Sequence, residues 1–182
     1  MIKKIIHRIV LIMIMSTNFL LTADSYASSV EKKYVDNKMV EDFCFKLYEK
    51  IEKDGFKPDL LVGLSRGGLV PLGYLSNEAM LDIHNTLSIS IASYKDKKQG
   101  QLTLRMPFHG EDVQQFKTIL VIDDLADSGK TLEFVLSLLQ ENNPDAVIKT
   151  ATLFYKKKSV IVPDYYIEET DQWIVFPWEK VN

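Results

Sequence analysis

The chain has 182 residues, enough for one domain and a short appendage. Apolar residues make up 46% and charged residues 26%, so a packed core is expected and an intrinsically disordered chain is not. A formal charge of −3 excludes a broad basic surface for nucleic acid, and a lone cysteine, Cys44, excludes an intrachain disulfide and a cysteine-built metal centre.

The first 27 residues are laid out as a secretory leader. Lys3, Lys4 and Arg8 precede the apolar run 9–15, and Ser25-Tyr26-Ala27 offers small residues at the positions a signal peptidase reads. The expected mature domain is 28–182, secreted or periplasmic. The alternatives are an uncleaved inner-membrane anchor, or a start codon assigned upstream of a cytoplasmic protein. No cysteine ends the segment, so a lipoprotein anchor is excluded.

Helical spacing of Val40, Phe43, Cys44, Leu47 and Ile51 predicts a helix over 36–54, capped by Asp36 or Asn37 and stopped by Gly55. Cys44 lies on its apolar face, as a buried structural thiol. A short strand over 59–63 leads through a glycine-rich turn into a helix over 69–80, with Pro71 in its first turn. The alternation of Leu87, Ile89 and Ile91 predicts a strand over 86–93 buried on one face. Residues 94–115 lack a sustained period and read as a long mobile excursion that can hold a short hairpin. A central strand over 117–123, a helix over 131–142, and strands over 146–155 and 165–167 follow. Strands alternating with helices predict an α/β fold, an open and mainly parallel sheet flanked by helices.

Two turns carry the chemistry. In the first, Ser65-Arg66-Gly67-Gly68 joins strand to helix, and four of the eight glycines (Gly63, Gly67, Gly68, Gly73) fall within eleven residues. Such a turn lets backbone N–H groups close on an anion, with Arg66 adding charge-assisted donors. In the second, four apolar residues run into Asp123-Asp124, and Asp127-Ser128-Gly129-Lys130-Thr131 opens a helix. Carboxylates suit hydroxyls or a metal, and hydroxyls with helix-start N–H groups suit a phosphate. Gly129-Lys130-Thr131 imitates the end of a triphosphate-binding P-loop, but that pattern requires glycine where Asp124 stands, and a carboxylate there repels phosphate. Two such loops ending two parallel strands describe a site for a sugar carrying a pyrophosphate and a monophosphate.

These residues resemble the type I phosphoribosyltransferase family, and within it the bacterial xanthine-guanine (6-oxopurine) group. Glu31–Tyr34 is similar to that group's start, Ser65–Pro71 to its pyrophosphate loop, and Ser93-Tyr94 with Asp96 to the entry of its flexible hood loop. Val121–Thr131 is similar to the ribose-phosphate motif. Asp164-Tyr165, Asp171–Ile174 and Pro177-Trp178-Glu179 are similar to the base-binding end.

The resemblance implies transfer of the phosphoribosyl group of 5-phosphoribosyl-1-pyrophosphate (PRPP) to a purine base, with Mg2+ as cofactor and a dimeric or tetrameric assembly. It also implies the roles. Asp123 and Asp124 hold the ribose hydroxyls, Asp124 also near magnesium; Asp127 manages the proton at purine N7. Ser128, Gly129, Lys130 and Thr131 bind the 5-phosphate, while Ser65, Arg66, Gly67 and Gly68 form the pyrophosphate loop. Lys156 contacts the 6-oxo group, Trp173 stacks on the base, and Ile174 reads its edge through backbone groups. A cis peptide at Ser65–Arg66 is expected on the same ground, whereas Trp178 reads as a buried tail aromatic. Gly100 replaces a basic hood-loop residue, leaving Lys97, Lys98 or Arg105 as substitutes, and Val175-Phe176 replaces a more polar pair near the base. The alternative is a non-catalytic protein of the same fold that senses PRPP or a nucleotide. Asp127 and Lys156 argue for catalysis, since a sensor needs neither a proton manager nor a base reader.

Overall fold

Three adjacent parallel strands with largely buried residues organise the molecule, and their sequences are correspondingly apolar. The computed structural model describes residues 31–93 and 102–179. The expected leader and the hood-loop positions Tyr94, Asp96, Lys97, Lys98 and Gly100 lie outside the described residues.

In chain order the elements are β1 (Lys32–Tyr34), α1 (Asn37–Asp54), β2 (Leu60–Ser65), α2 (Leu69–Leu75), β3 (Thr86–Ser93), β4 (Leu102–Leu104), β5 (Thr118–Ala126), α3 (Lys130–Asn142), β6 (Val147–Tyr155), β7 (Tyr165–Glu169) and β8 (Trp173–Val175). The main sheet has the order β4-β3-β2-β5-β6-β7, parallel except for β4, which runs antiparallel to β3. The α/β expectation therefore holds. Among the described residues of the 94–115 excursion, β4 pairs back on β3 in place of a hairpin of its own, and a 3-10 turn lies at Gly110–Asp112.

Each helix forms where its apolar spacing finds a sheet face. The α1 residues Phe43, Cys44, Leu47 and Ile51 pack with Leu72 and Leu75 of α2 against Leu61, Leu120, Ile122 and Leu153. On the other face Leu132, Val135 and Leu139 of α3 pack against Leu60, Val62, Ile119 and Val121. Fully burying one such side chain contributes roughly 1.5–3 kcal/mol. The Asp36 carboxylate accepts a hydrogen bond from the Met39 N–H at 2.8 Å and so caps α1, while Gly55 ends it at φ 72°. The Asp59 carboxylate pins the start of β5, accepting from the Lys117 and Thr118 N–H groups at 2.9 Å each.

Two expectations are corrected, and one pairing is new. The second helix stops at Leu75 rather than Met80, because 76–81 closes into turns whose N–H groups return to Leu72, Tyr74, Leu75 and Asn77 carbonyls. The central strand continues past the acidic pair to Ala126, because β6 stays in register beside it, Leu125 opposite Phe154 and Ala126 opposite Tyr155. β1 and β8 pair in a small separate sheet that no local signal announced, continued by a Val35 N–H to Val175 carbonyl bond of 3.0 Å.

Candidate functional site

β2 and β5 lie side by side, but the helices that follow them cover opposite faces of the sheet. Chain connections therefore diverge at this pair, and the carboxyl ends of the two strands flank a crevice where ligands of open α/β sheets settle. Both chemical turns lie there. Arg66 and the Asp123–Thr131 segment share one end of two paired strands, Gly63 opposite Ile122.

The turns touch. A Cβ built on Gly67 would fall 1.9 Å from Asp124 Oδ2, so the glycine backbone rests directly on that carboxylate. Gly68 sits against the strand backbone, its Cβ position 2.4 Å from the Ile122 carbonyl oxygen. The Ser65–Arg66 peptide is cis, as expected, and Arg66 is exposed at the crevice.

Asp123 and Asp124 are both half-buried, and the Asp124 N–H donates to Asp123 Oδ1 at 3.0 Å. Burial, joined by repulsion from Asp124, raises the Asp123 pKa well above the ordinary carboxylate value. Burial is also the main cause that raises Asp124; the Trp178 indole N–H beside it opposes the shift and the Glu179 charge adds to it. Trp178 thus corrects the reading of a plain buried aromatic: half-buried and stacked on Phe176 at 4.6 Å, it reaches Asp124. Its signal was ambiguous because an aromatic near a chain end is ordinarily core.

Asp127 faces a different environment. Burial pushes its carboxyl upward, but Lys158 and Lys156 together outweigh that and hold it below the usual range. The Lys156 ammonium lies 3.3 Å from Asp127 Oδ1, and the Lys158 ammonium 2.8 Å from the same oxygen. Lys156 is buried and its ammonium stands 5.7 Å from the Trp173 ring centroid, within cation–π reach. Trp173 is 53% exposed, so its ring is presented and not packed away, while Ile174 beside it is buried. Lys158 was not singled out by sequence, since three consecutive lysines ordinarily form a solvated run.

The second turn is built for close approach. Gly129 takes φ 73° before α3, and a Cβ there would fall 2.3 Å from Ser159 Oγ. Ser128, Lys130 and Thr131 surround it with donors, Ser128 and Lys130 exposed and Thr131 partly so. The Ser128 carbonyl accepts from the Val160 N–H at 3.0 Å, and the Ala126 carbonyl from the Lys156 N–H at 3.0 Å. The segment after β6 therefore braces the turn. The sequence-named site residues from Ser65 to Ile174 belong to the carboxyl ends of β2 and β5, to the turns and helix start that follow strands of the main sheet, or to β8.

Asp123 and Asp124 suit a hard cation such as Mg2+, which prefers oxygen ligands and commonly takes one or two carboxylates together with substrate phosphates. Their mutual repulsion is what a cation would relieve. No cluster of three or more potential metal-ligating side chains occurs among the described residues.

Comparison with known proteins agrees with this geometry. The phosphoribosyl transferase domain model matches residues 31–180. A xanthine-guanine phosphoribosyltransferase of Cereibacter sphaeroides is 38% identical over 133 residues, 69% of this chain and 75% of that protein. Among solved structures, a purine phosphoribosyltransferase from Pyrococcus horikoshii is 37% identical with a TM-score of 0.71, covering 83% of this chain and 96% of that one. A xanthine-guanine-hypoxanthine phosphoribosyltransferase from Helicobacter pylori is 29% identical with a TM-score of 0.72, covering 82% and 94%.

Proposed function

The chain belongs to the phosphoribosyl transferase family, and from that premise we propose that it moves the 5-phosphoribosyl group of PRPP to a 6-oxopurine base, releasing pyrophosphate and forming a nucleoside monophosphate. It is a purine phosphoribosyltransferase by family. The observation that carries the finer reading is the contact of Gly67 with Asp124. That contact joins a pyrophosphate-type turn to a ribose-phosphate turn over the span of one sugar.

In this reading Ser128, Gly129, Lys130 and Thr131 take the 5-phosphate, and Asp123 and Asp124 accept from the ribose hydroxyls. Arg66 and the Gly67-Gly68 backbone donate to the pyrophosphate. As the glycosidic bond to pyrophosphate breaks, positive charge develops on the ribose and negative charge on the leaving group. Preorganised donors aimed at developing charge typically supply about 3 kcal/mol each. Mg2+, held by Asp124 with Asp123 beside it, would supply further charge stabilisation to the leaving group. Trp173 stacks on the purine, Lys156 donates to its 6-oxo oxygen, Ile174 reads its edge through the backbone, and Asp127 receives the N7 proton. A dimer or tetramer is proposed for the assembly, to be checked by light scattering.

The test is direct. Purified full-length protein is incubated with PRPP and Mg2+ and, separately, guanine, xanthine, hypoxanthine or adenine, and pyrophosphate release is followed. Release with at least one 6-oxopurine and not with adenine is expected. Tight PRPP binding without release for any base would instead favour a nucleotide-binding regulator.

A further inference from the structure

Lys158 occupies a position that the proposed chemistry does not use. Its ammonium lies 2.8 Å from Asp127 Oδ1, closer than that of Lys156 at 3.3 Å, yet the Lys158 side chain is 62% exposed and that of Lys156 only 8%. Lys156 is confined between Asp127 and Trp173. Lys158 is solvent-exposed along its side chain and anchored at its root. Two residues on, the Val160 N–H binds the Ser128 carbonyl, and Ser159 packs on Gly129. Its backbone is thus tied to the very turn that offers Ser128, Gly129, Lys130 and Thr131 to a phosphate.

We propose that Lys158 is a substrate-responsive phosphate ligand: it pairs with Asp127 while the site is empty and passes to the 5-phosphate of the incoming phosphoribosyl substrate, leaving Asp127 to face the purine. The inference rests on reading the second turn as the 5-phosphate site. Physically, one carboxylate competes with a phosphate dianion for one mobile ammonium. At equal distance the dianion attracts about twice as strongly, and a lysine stem is flexible enough to change partners. Without the exchange, both lysines would stay on the oxygen of the group that must accept a proton. With it, filling the phosphate site readies Asp127 for the base.

The experiment uses full-length protein and ribose 5-phosphate, which carries the 5-phosphate without pyrophosphate or base, titrated by calorimetry. Lys158→Gln is expected to weaken binding about three- to tenfold, the worth of an exposed charge-assisted contact. Lys158→Arg retains most of the affinity, and Lys157→Gln, which removes a partner of Glu169, leaves it unchanged. A double-mutant cycle reads the exchange itself. Asp127→Asn tightens ribose 5-phosphate binding more in the wild-type background, where it frees Lys158, than in the Lys158→Gln background. Equal effects in both backgrounds, or no weakening in Lys158→Gln, would overturn the proposal. Absence of ribose 5-phosphate binding by the wild type would overturn it together with the phosphate-site assignment. Intact, Lys158-dependent binding in a protein that releases no pyrophosphate would sustain it while removing the catalytic reading.

Discussion

Gly67 and Gly68 adjoin in sequence but face different obstacles, which separates function from stability at two neighbouring positions. A methyl group on Gly67 meets the mobile end of Asp124, whereas one on Gly68 meets the Ile122 and Leu64 carbonyls of the sheet. Gly67→Ala should therefore fold normally and lose PRPP affinity by displacing Asp124. Gly68→Ala should lose about 1–3 kcal/mol of stability, the usual cost of overpacking. Thermal denaturation beside steady-state kinetics tells the two apart. Asp127→Asn should lower kcat by about 10²-fold or more, since positioned proton transfer typically contributes 10²–10⁴-fold, and should lower stability as well by leaving the buried Lys156 ammonium without its carboxylate. A kcat within threefold of wild type would remove Asp127 from the chemistry. Residue types were legible at this scale because carboxylates, glycines and hydroxyls announce their chemistry by pattern. Trp178 and Lys158 were not, since an aromatic near a terminus and a lysine run are ordinary surface or core features until their neighbours are known.

At the scale of elements, β5 and β6 show how a strand can end in function. Their register places Asp123 opposite Thr152, whose buried hydroxyl has no hydrogen-bond partner among the described residues. An unmet buried polar group costs about 1–3 kcal/mol, so Thr152→Val should leave stability equal or raise it by about 1 kcal/mol in chemical denaturation. A clear loss would mean that the hydroxyl finds a partner in solution. Asp36→Ala should cost about 1 kcal/mol through loss of the α1 cap. The helices α1 and α3 were readable almost residue by residue, because an amphipathic stripe and its caps are local. The ends of α2 and β5 were not. Tertiary hydrogen bonds closed the first early, and an adjacent strand carried the second two residues past the acidic pair.

For the whole molecule, Cys44 reports on the integrity of the core between α1 and the sheet. Burial pushes its thiol up to about 12, so it stays neutral and shielded at neutral pH. A thiol reagent at pH 8 should leave native protein unlabelled and modify one group per chain after denaturation; rapid native labelling would contradict the packing of α1. The sign at high pH follows. Above its ordinary value of 9.0 the unfolded chain releases the proton while the folded chain retains it, so stability falls from there toward about 12. That alkaline loss should be smaller in Cys44→Ala. The alternation of strands and helices, the two glycine-bearing polar turns and the family they resemble were legible in the chain, because periodicity, glycine placement and acidic pairs act over a few consecutive residues. Folding in three dimensions was needed to show that Gly67 rests on Asp124, that Trp178 reaches Asp124, and that Lys156 and Lys158 converge on Asp127. Those meetings join residues that are distant in the chain, and strand order and register, not local preference, bring them within reach.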